Sequence, residues 1–266
     1  MNFLILGDIV GNPGQLALNK NLKELIQKNQ IDFTIVNGEN AADDGKGITE
    51  SISNSLFEIG VNVITSGNHI WDKSETVKFI DKEKRLLRPA NLVEGSPGSG
   101  IGVYNMDKKK ITVINMMGNV FMRKTEDLFK FAEGLKKKII LKKNTDFLII
   151  DLHGEITSEK MALGHFFDGH ATCVVGTHTH VPTSDTRVLE KGTAYQTDLG
   201  MCGDYNSVIG MDKNNSIMKF LKKKDTKPHF PSTGEATISG VIVNADKETG
   251  LAKNIKQVMY GGDLNK

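Results

Sequence analysis

Five apolar runs in this chain stop abruptly in residues that bind metals, and that repetition constrains the fold more than any other feature. The first, Asn2 to Gly7, ends in Asp8. Phe33-Thr34-Ile35-Val36 ends in Asn37-Gly38-Glu39-Asn40, and Val61 to Thr65 runs into Ser66-Gly67-Asn68-His69. Asp146 to Leu152 runs into His153-Gly154-Glu155, and Thr172-Cys173-Val174-Val175 into Gly176-Thr177-His178-Thr179-His180. Helical patterns separate these runs. Pro13 and Gly14 introduce one from about Gln15 to Lys28, and others span about 49–59, 73–80, 125–138 and 158–167. Strands alternating with crossover helices predict parallel pairing. In an open α/β sheet the carboxyl ends of such strands gather on one edge, which is where ligands bind.

After His180 the pattern changes to short strands with turns, Arg187 to Leu189, Thr193 to Thr197 and Thr237 to Val243, which predicts a second sheet. Two further short strands, Ile101 to Met106 and Ile111 to Asn115, follow the loop Glu94 to Gly100. The expected fold is a two-sheet α/β sandwich with helices on the outer faces, forming one domain over residues 1–266. A TIM barrel would also gather ligands at strand C-termini, but it needs eight βα units and the tail does not supply them.

Composition fits a globular protein and selects no particular partner: 38% of residues are hydrophobic, 25% are charged, and the net charge is +2. The lysine runs at 108–110, 136–138 and 222–224 fall in turns or on polar helix sides and read as solvated surface rather than a nucleic-acid footprint. Cys173 and Cys202 are too few for a disulfide framework. There is no basic leader, and no apolar run approaches the roughly 18 residues of a membrane span, so a cytoplasmic location is expected.

The candidate ligands are Asp8, Glu39, Asn40, Asn68, His153, His178 and His180. Period-two alternation along a strand would aim His178 and His180 the same way, with Thr179 pointing away. Seven donors of this kind crowd one ion but suit two first-row ions about 3.5 to 4 Å apart that share a carboxylate. The absence of a cysteine ligand argues against structural zinc, and three imidazoles argue against magnesium or calcium. Iron is the first expectation and manganese the alternative. Such a pair lowers the pKa of a bridging water and clamps phosphoryl oxygens during in-line displacement. His69, in a turn beside Asn68, is placed to act as the general acid for the leaving oxygen. Asp8 and Glu39 also read as helix N-caps, but capping does not explain why imidazoles share the edge. His165, His170 and His229 lie off the strand tips and read as non-ligands.

Asp8, Gly67-Asn68-His69, His153 and Gly176-Thr177-His178-Thr179-His180 together resemble the calcineurin-like metallophosphoesterase signature of D-x-H, G-D, G-N-H, a lone H and G-H-x-H. The match spans most of the chain in order. Two departures stand out: Val10 replaces the histidine of D-x-H, and Glu39 followed by Asn40 replaces the usual bridging aspartate. With Gly7-Asp8-Ile9-Val10-Gly11 and the run Thr193 to Met201, these departures resemble the bacterial YmdB-like branch. That resemblance implies Asp8, Glu39, Asn40 and His180 on one metal and Glu39, Asn68, His153 and His178 on the other, with Glu39 bridging. It further implies a di-iron or manganese centre that hydrolyses 2′,3′-cyclic nucleotides to 3′-nucleotides, His69 protonating the departing 2′ oxygen.

Substrate recognition is less legible. Asp43, Asp44 and Lys46 follow Glu39, while Arg88, Asn119 and Arg123 sit in later loops. A guanidinium suits a phosphate oxygen, although loop arginines also commonly face solvent. The substrate expected is a small cyclic nucleotide or an RNA-derived phosphodiester; no membrane partner is expected, and a homo-oligomer stays open. The competing readings are a broader phosphomonoesterase or RNA-end nuclease, and a regulatory partner in RNA metabolism whose metals mainly hold structure.

Overall fold

A computed structural model describes residues 1–264. The chain runs β1 (Asn2–Ile9), α1 (Gly11–Lys28), β2 (Phe33–Asn37), α2 (Glu50–Glu58), β3 (Val63–Thr65) and α3 (Thr76–Phe79). It continues through β4 (Ile101–Met106), β5 (Lys109–Met117), α4 (Leu128–Lys138), β6 (Phe147–His153), α5 (Thr157–Phe166) and β7 (Cys173–Thr177). The remainder is β8 (Arg187–Val188), β9 (Ala194–Gln196), β10 (Met201–Asp204), α6 (Lys213–Phe220), β11 (Ala236–Ala245) and β12 (Ala252–Tyr260).

Two sheets of six strands pack face to face, in the orders β12-β11-β10-β1-β2-β3 and β4-β5-β6-β7-β9-β8. In β1, Phe3 and Ile5 enter the core between the sheets with Ile149 and Val175 of the other sheet, while Leu4 and Leu6 face the opposite way onto Leu18 and Leu22 of α1. The same division in β6 sends Leu148 and Ile150 outward onto Leu128 of α4 and Leu163 of α5. Strands covered on both faces must be apolar throughout, which is why these segments read as continuous hydrophobic runs. The expected sandwich with outer helices is therefore the architecture.

The sheet membership differs from the sequence expectation. The tail does not form a sheet of its own: β8 and β9 extend the sheet of β6 and β7, whereas β10 pairs parallel and β11 antiparallel with β1. The five ligand-bearing strands are consequently split, β1, β2 and β3 in one sheet and β6 and β7 in the other. Helix boundaries shift as well. α1 starts at Gly11, so Pro13 sits inside its first turn, where a missing N–H costs nothing. The segment 73–80 keeps only the single turn α3. Thr49 and Asp127 cap α2 and α4, each side chain accepting from a backbone N–H three residues on.

Candidate active site

The carboxyl ends of β1, β2, β3, β6 and β7 meet along one edge of the sandwich, so the site is assembled across both sheets. Asp8 and His153 are the last or next-to-last residues of β1 and β6, and both are completely buried. Glu39 and Asn40 lie just beyond β2, and Asn68 and His69 just beyond β3. Asp8 and Glu39 cap no helix: α1 is preceded by Val10 without a side-chain cap, and α2 by Thr49.

His178 and His180 are not strand residues. β7 ends at Thr177, and both histidines take left-handed backbones, with φ of 103° and 65°. That conformation is strained for a residue with a Cβ and has to be held from outside. Asp8 Oδ2 accepts from the His178 N–H at 3.1 Å, and Asp198 Oδ2 from the Thr179 N–H at 3.1 Å. A turn, rather than period-two alternation, therefore aims the two imidazoles. Asp198 is in turn anchored by Lys160, whose Nζ lies 2.6 Å from Oδ2 with both side chains 1% exposed. Removing one partner of a buried pair leaves an uncompensated charge. Lys160→Met is accordingly expected to lower unfolding free energy by about 3 to 5 kcal/mol, read from urea denaturation. A loss below about 1 kcal/mol, the level of a surface pair, would mean that the pair does not hold this turn.

All seven ligand candidates come together. His153 Nε2 lies 2.9 Å from Glu39 Oε1, 3.1 Å from Asn68 Oδ1 and 3.0 Å from His178 Nδ1. His180 Nε2 lies 3.3 Å from Asn40 Oδ1. Asp8 Oδ1 stands 3.7 Å from His153 Nδ1, buried and with no hydrogen-bond partner. An orphaned buried carboxylate oxygen beside converging imidazole nitrogens is expensive in an apolar interior, and a cation relieves it. Glu39, His153 and His178 each offer a ligand atom within 4.8 Å of the others. Gly67 borders the same space so closely that a Cβ there would collide with His153 and Glu39.

Neighbouring groups fix the tautomers. His153 Nδ1 faces Thr177 Oγ1 at 3.0 Å, and Thr177 donates onward to Asp151 Oδ1 at 2.8 Å, so His153 donates through Nδ1 and turns Nε2 toward Glu39, Asn68 and His178. The Ile209 carbonyl accepts from His180 Nδ1 at 2.8 Å, and Glu155 Oε2 lies 3.1 Å from His178 Nε2. Burial pushes Asp8 up to about 6 against the pull of His180 and His153. Burial also disfavours charge on Glu39, but His153 and the His69 backbone N–H outweigh it and hold the carboxyl at about 2. Burial would lower His153, yet Glu39 and Asp8 raise it to about 9. Burial and the charge on neighbouring His153 push His178 down to about 3.

His69 sits at the rim. Its backbone N–H donates to Glu39 Oε2 at 2.9 Å, and its Nδ1 lies 2.7 Å from Asp72 Oδ2, which leaves Nε2 to carry an exchangeable proton. Asp72 and Glu155 contact His69 Nδ1 and His178 Nε2 and belong to no motif in the sequence. Both lie within three residues of a recognised histidine, and that proximity was the available signal. Arg123 is exposed and reaches Asp72 Oδ1 at 3.4 Å, behind His69. Arg88 is spent on the loop carbonyls of Pro97, Pro89, Ala90 and Ser96 and reaches no part of the site. His165 and His170 lie away from the site. His229, read from the sequence as a non-ligand in a loop, lines the same cavity as His69, His178 and His180. No helix among the described residues is long and apolar enough to cross a membrane.

Known proteins match this chain over nearly its whole length. A 2′,3′-cyclic-nucleotide 2′-phosphodiesterase of Bacillus subtilis is 44% identical over 264 residues, covering 99% of this chain and 98% of its own. A crystal structure described as a novel phosphatase from Mycoplasma pneumoniae superposes with a TM-score of 0.91 at 36% identity, covering 98% of this chain and 93% of that one. A 5′-nucleotidase precursor from Thermus thermophilus, at 12% identity and a TM-score of 0.56, covers 98% of this chain with 54% of its own and shares the fold alone. The family model for YmdB-like proteins matches residues 4–258. The chain therefore belongs to the YmdB-like family.

Proposed function

We propose that this protein is a dinuclear metal-dependent phosphodiesterase that opens 2′,3′-cyclic nucleotides to 3′-nucleotides. One observation carries the reading: three imidazoles, Glu39, the orphaned Asp8 carboxylate and two amide oxygens converge at one edge, beside the His69–Asp72 pair. The contacts fall into two groups. Asn40 and His180 touch each other, Asn68 and His178 both touch His153, and Glu39 joins the second group while its other oxygen faces His69. That division supports separate sites for Asn40 with His180 and for Glu39 and Asn68 with His153 and His178; the family resemblance adds Asp8 to the first and makes Glu39 the bridge. The neutral oxygen of Asn40 makes the first set harder, which favours iron or manganese over zinc there.

When bound, two such ions supply a nucleophile from water near neutral pH and neutralise the phosphoryl oxygens. The chain's own residues do the rest. Thr177, Ile209 and Glu155 each hold one nitrogen of an imidazole, so that the other nitrogen of each ring faces inward. As the bond between phosphorus and the 2′ oxygen breaks, His69 gives the leaving oxygen its Nε2 proton, and Asp72 stabilises and orients the imidazolium through Nδ1. The relative named for 2′,3′-cyclic-nucleotide hydrolysis supports the choice of substrate. Two free, buried cysteines suit a reducing cytoplasm.

The test is a panel of 2′,3′-cyclic nucleotide, 3′,5′-cyclic nucleotide, p-nitrophenyl phosphate and short RNA with metal-replete protein. The 2′,3′-cyclic nucleotide should show the highest kcat/KM by about tenfold or more and yield only the 3′-phosphate. Preference for the monoester or for RNA would replace this reading with the broader phosphatase or nuclease.

A further inference from the structure

We propose that the wall of the active-site cavity built by α6 and its flanking loops is a nucleobase subsite, with Phe220 as a stacking surface and Ser216 Oγ as a polar anchor. The inference rests on the phosphodiesterase reading above and adds to it how the substrate's base is held.

The cavity has a volume of about 540 Å³, within the usual range for small-molecule sites. One side is the reaction centre, with Glu39, His69, His178 and His180. The other side is apolar and comes from a different part of the chain: Val208, Ile209, Met211 and Phe220. A substrate whose phosphate lies at the imidazoles therefore has its remaining bulk directed at this wall.

Three observations point to a base there. Phe220 closes α6 with 83% of its surface exposed, and it does so on the cavity rather than at an arbitrary surface position. An exposed aromatic face continuous with a phosphate-handling site suits the π-face of a base, because stacking needs no particular sequence of donors and acceptors. Ser216, one helical turn back and lining the same cavity, is 1% exposed, yet its Oγ has no hydrogen-bond partner. Buried hydroxyls are nearly always satisfied, and a base edge offers both donors and acceptors. Ile209, a β-branched residue, is held at φ 50° with its side chain 53% exposed on the cavity, while its carbonyl fixes His180 Nδ1 at 2.8 Å. That strained turn ties the apolar wall rigidly to the reaction centre.

The experiment compares binding of adenosine 3′-phosphate and base-free ribose 3-phosphate to the full chain by calorimetry, together with hydrolysis of adenosine 2′,3′-cyclic phosphate and glycerol 1,2-cyclic phosphate. Wild-type protein should bind the nucleotide about tenfold or more tighter than the sugar phosphate. Phe220→Ala should erase that margin, Phe220→Tyr should keep it, and Ser216→Ala should narrow it. Equal affinity of the wild type for both ligands, or an equal weakening of both by Phe220→Ala, would overturn the subsite. A base-dependent margin without turnover of either cyclic ester would leave the subsite standing and remove the phosphodiesterase reading instead.

Discussion

Glu39→Gln is expected to lower kcat on a 2′,3′-cyclic nucleotide by about 10³-fold, or about 4 kcal/mol of transition-state stabilisation. Glutamine fills the same volume, so the effect isolates charge and donor pattern. Glu39 Oε1 faces His153 Nε2 at 2.9 Å, and Oε2 accepts the His69 N–H at 2.9 Å. An amide can present an oxygen to only one of these. The other then meets an NH₂ group, and the carboxylate that would bridge the two ions is lost. The drop should come with fewer metals per chain in elemental analysis. Full turnover with unchanged metal content would show that Glu39 is not the bridge.

The second large effect expected is at His69. His69→Asn should reduce kcat on the cyclic nucleotide by about 10² to 10⁴-fold, the range for loss of a general acid, with metal content unchanged. The leaving group gives the diagnostic. A 2′ alkoxide needs a proton as it departs, whereas a nitrophenolate leaves without one, so the same variant should lose far less on bis(p-nitrophenyl) phosphate. Asp72→Asn should follow the same pattern more weakly, because Asp72 acts only through the His69 Nδ1 bond of 2.7 Å. Equal losses on both substrates would place His69 in phosphate binding instead of proton transfer.

Much of the centre was legible because its donors sit where strand chemistry breaks. Asp8, Glu39, Asn68, His153 and His178 each follow an apolar run within a few residues, and all of them converge. The partition of strands was not legible. Whether Thr237 to Val243 pairs with β1 or joins β9 depends on contacts between residues such as Asn2 and Asn244, and hydrophobic period carries no information about partners that distant. β12 was missed because it is an edge strand: in Ala252–Tyr260 only Ile255 is buried, and its lysines face water. α6 was missed because Lys213–Phe220 buries only Asn215 and Ser216 and so shows no apolar stripe, although it supplies a wall of the site. The aim of His178 and His180 was misattributed to strand alternation, because their left-handed backbones are imposed by Asp8 and Asp198 rather than by local sequence.

A centre of two metals held across both sheets is tested by titrating chelator-treated protein anaerobically with Mn²⁺ or Fe²⁺ while following 3′-nucleotide release from a 2′,3′-cyclic nucleotide. Activity should be absent without metal and should rise to a plateau at about two equivalents per chain. Turnover in the chelated protein, or a plateau at about one equivalent, would contradict a two-metal centre.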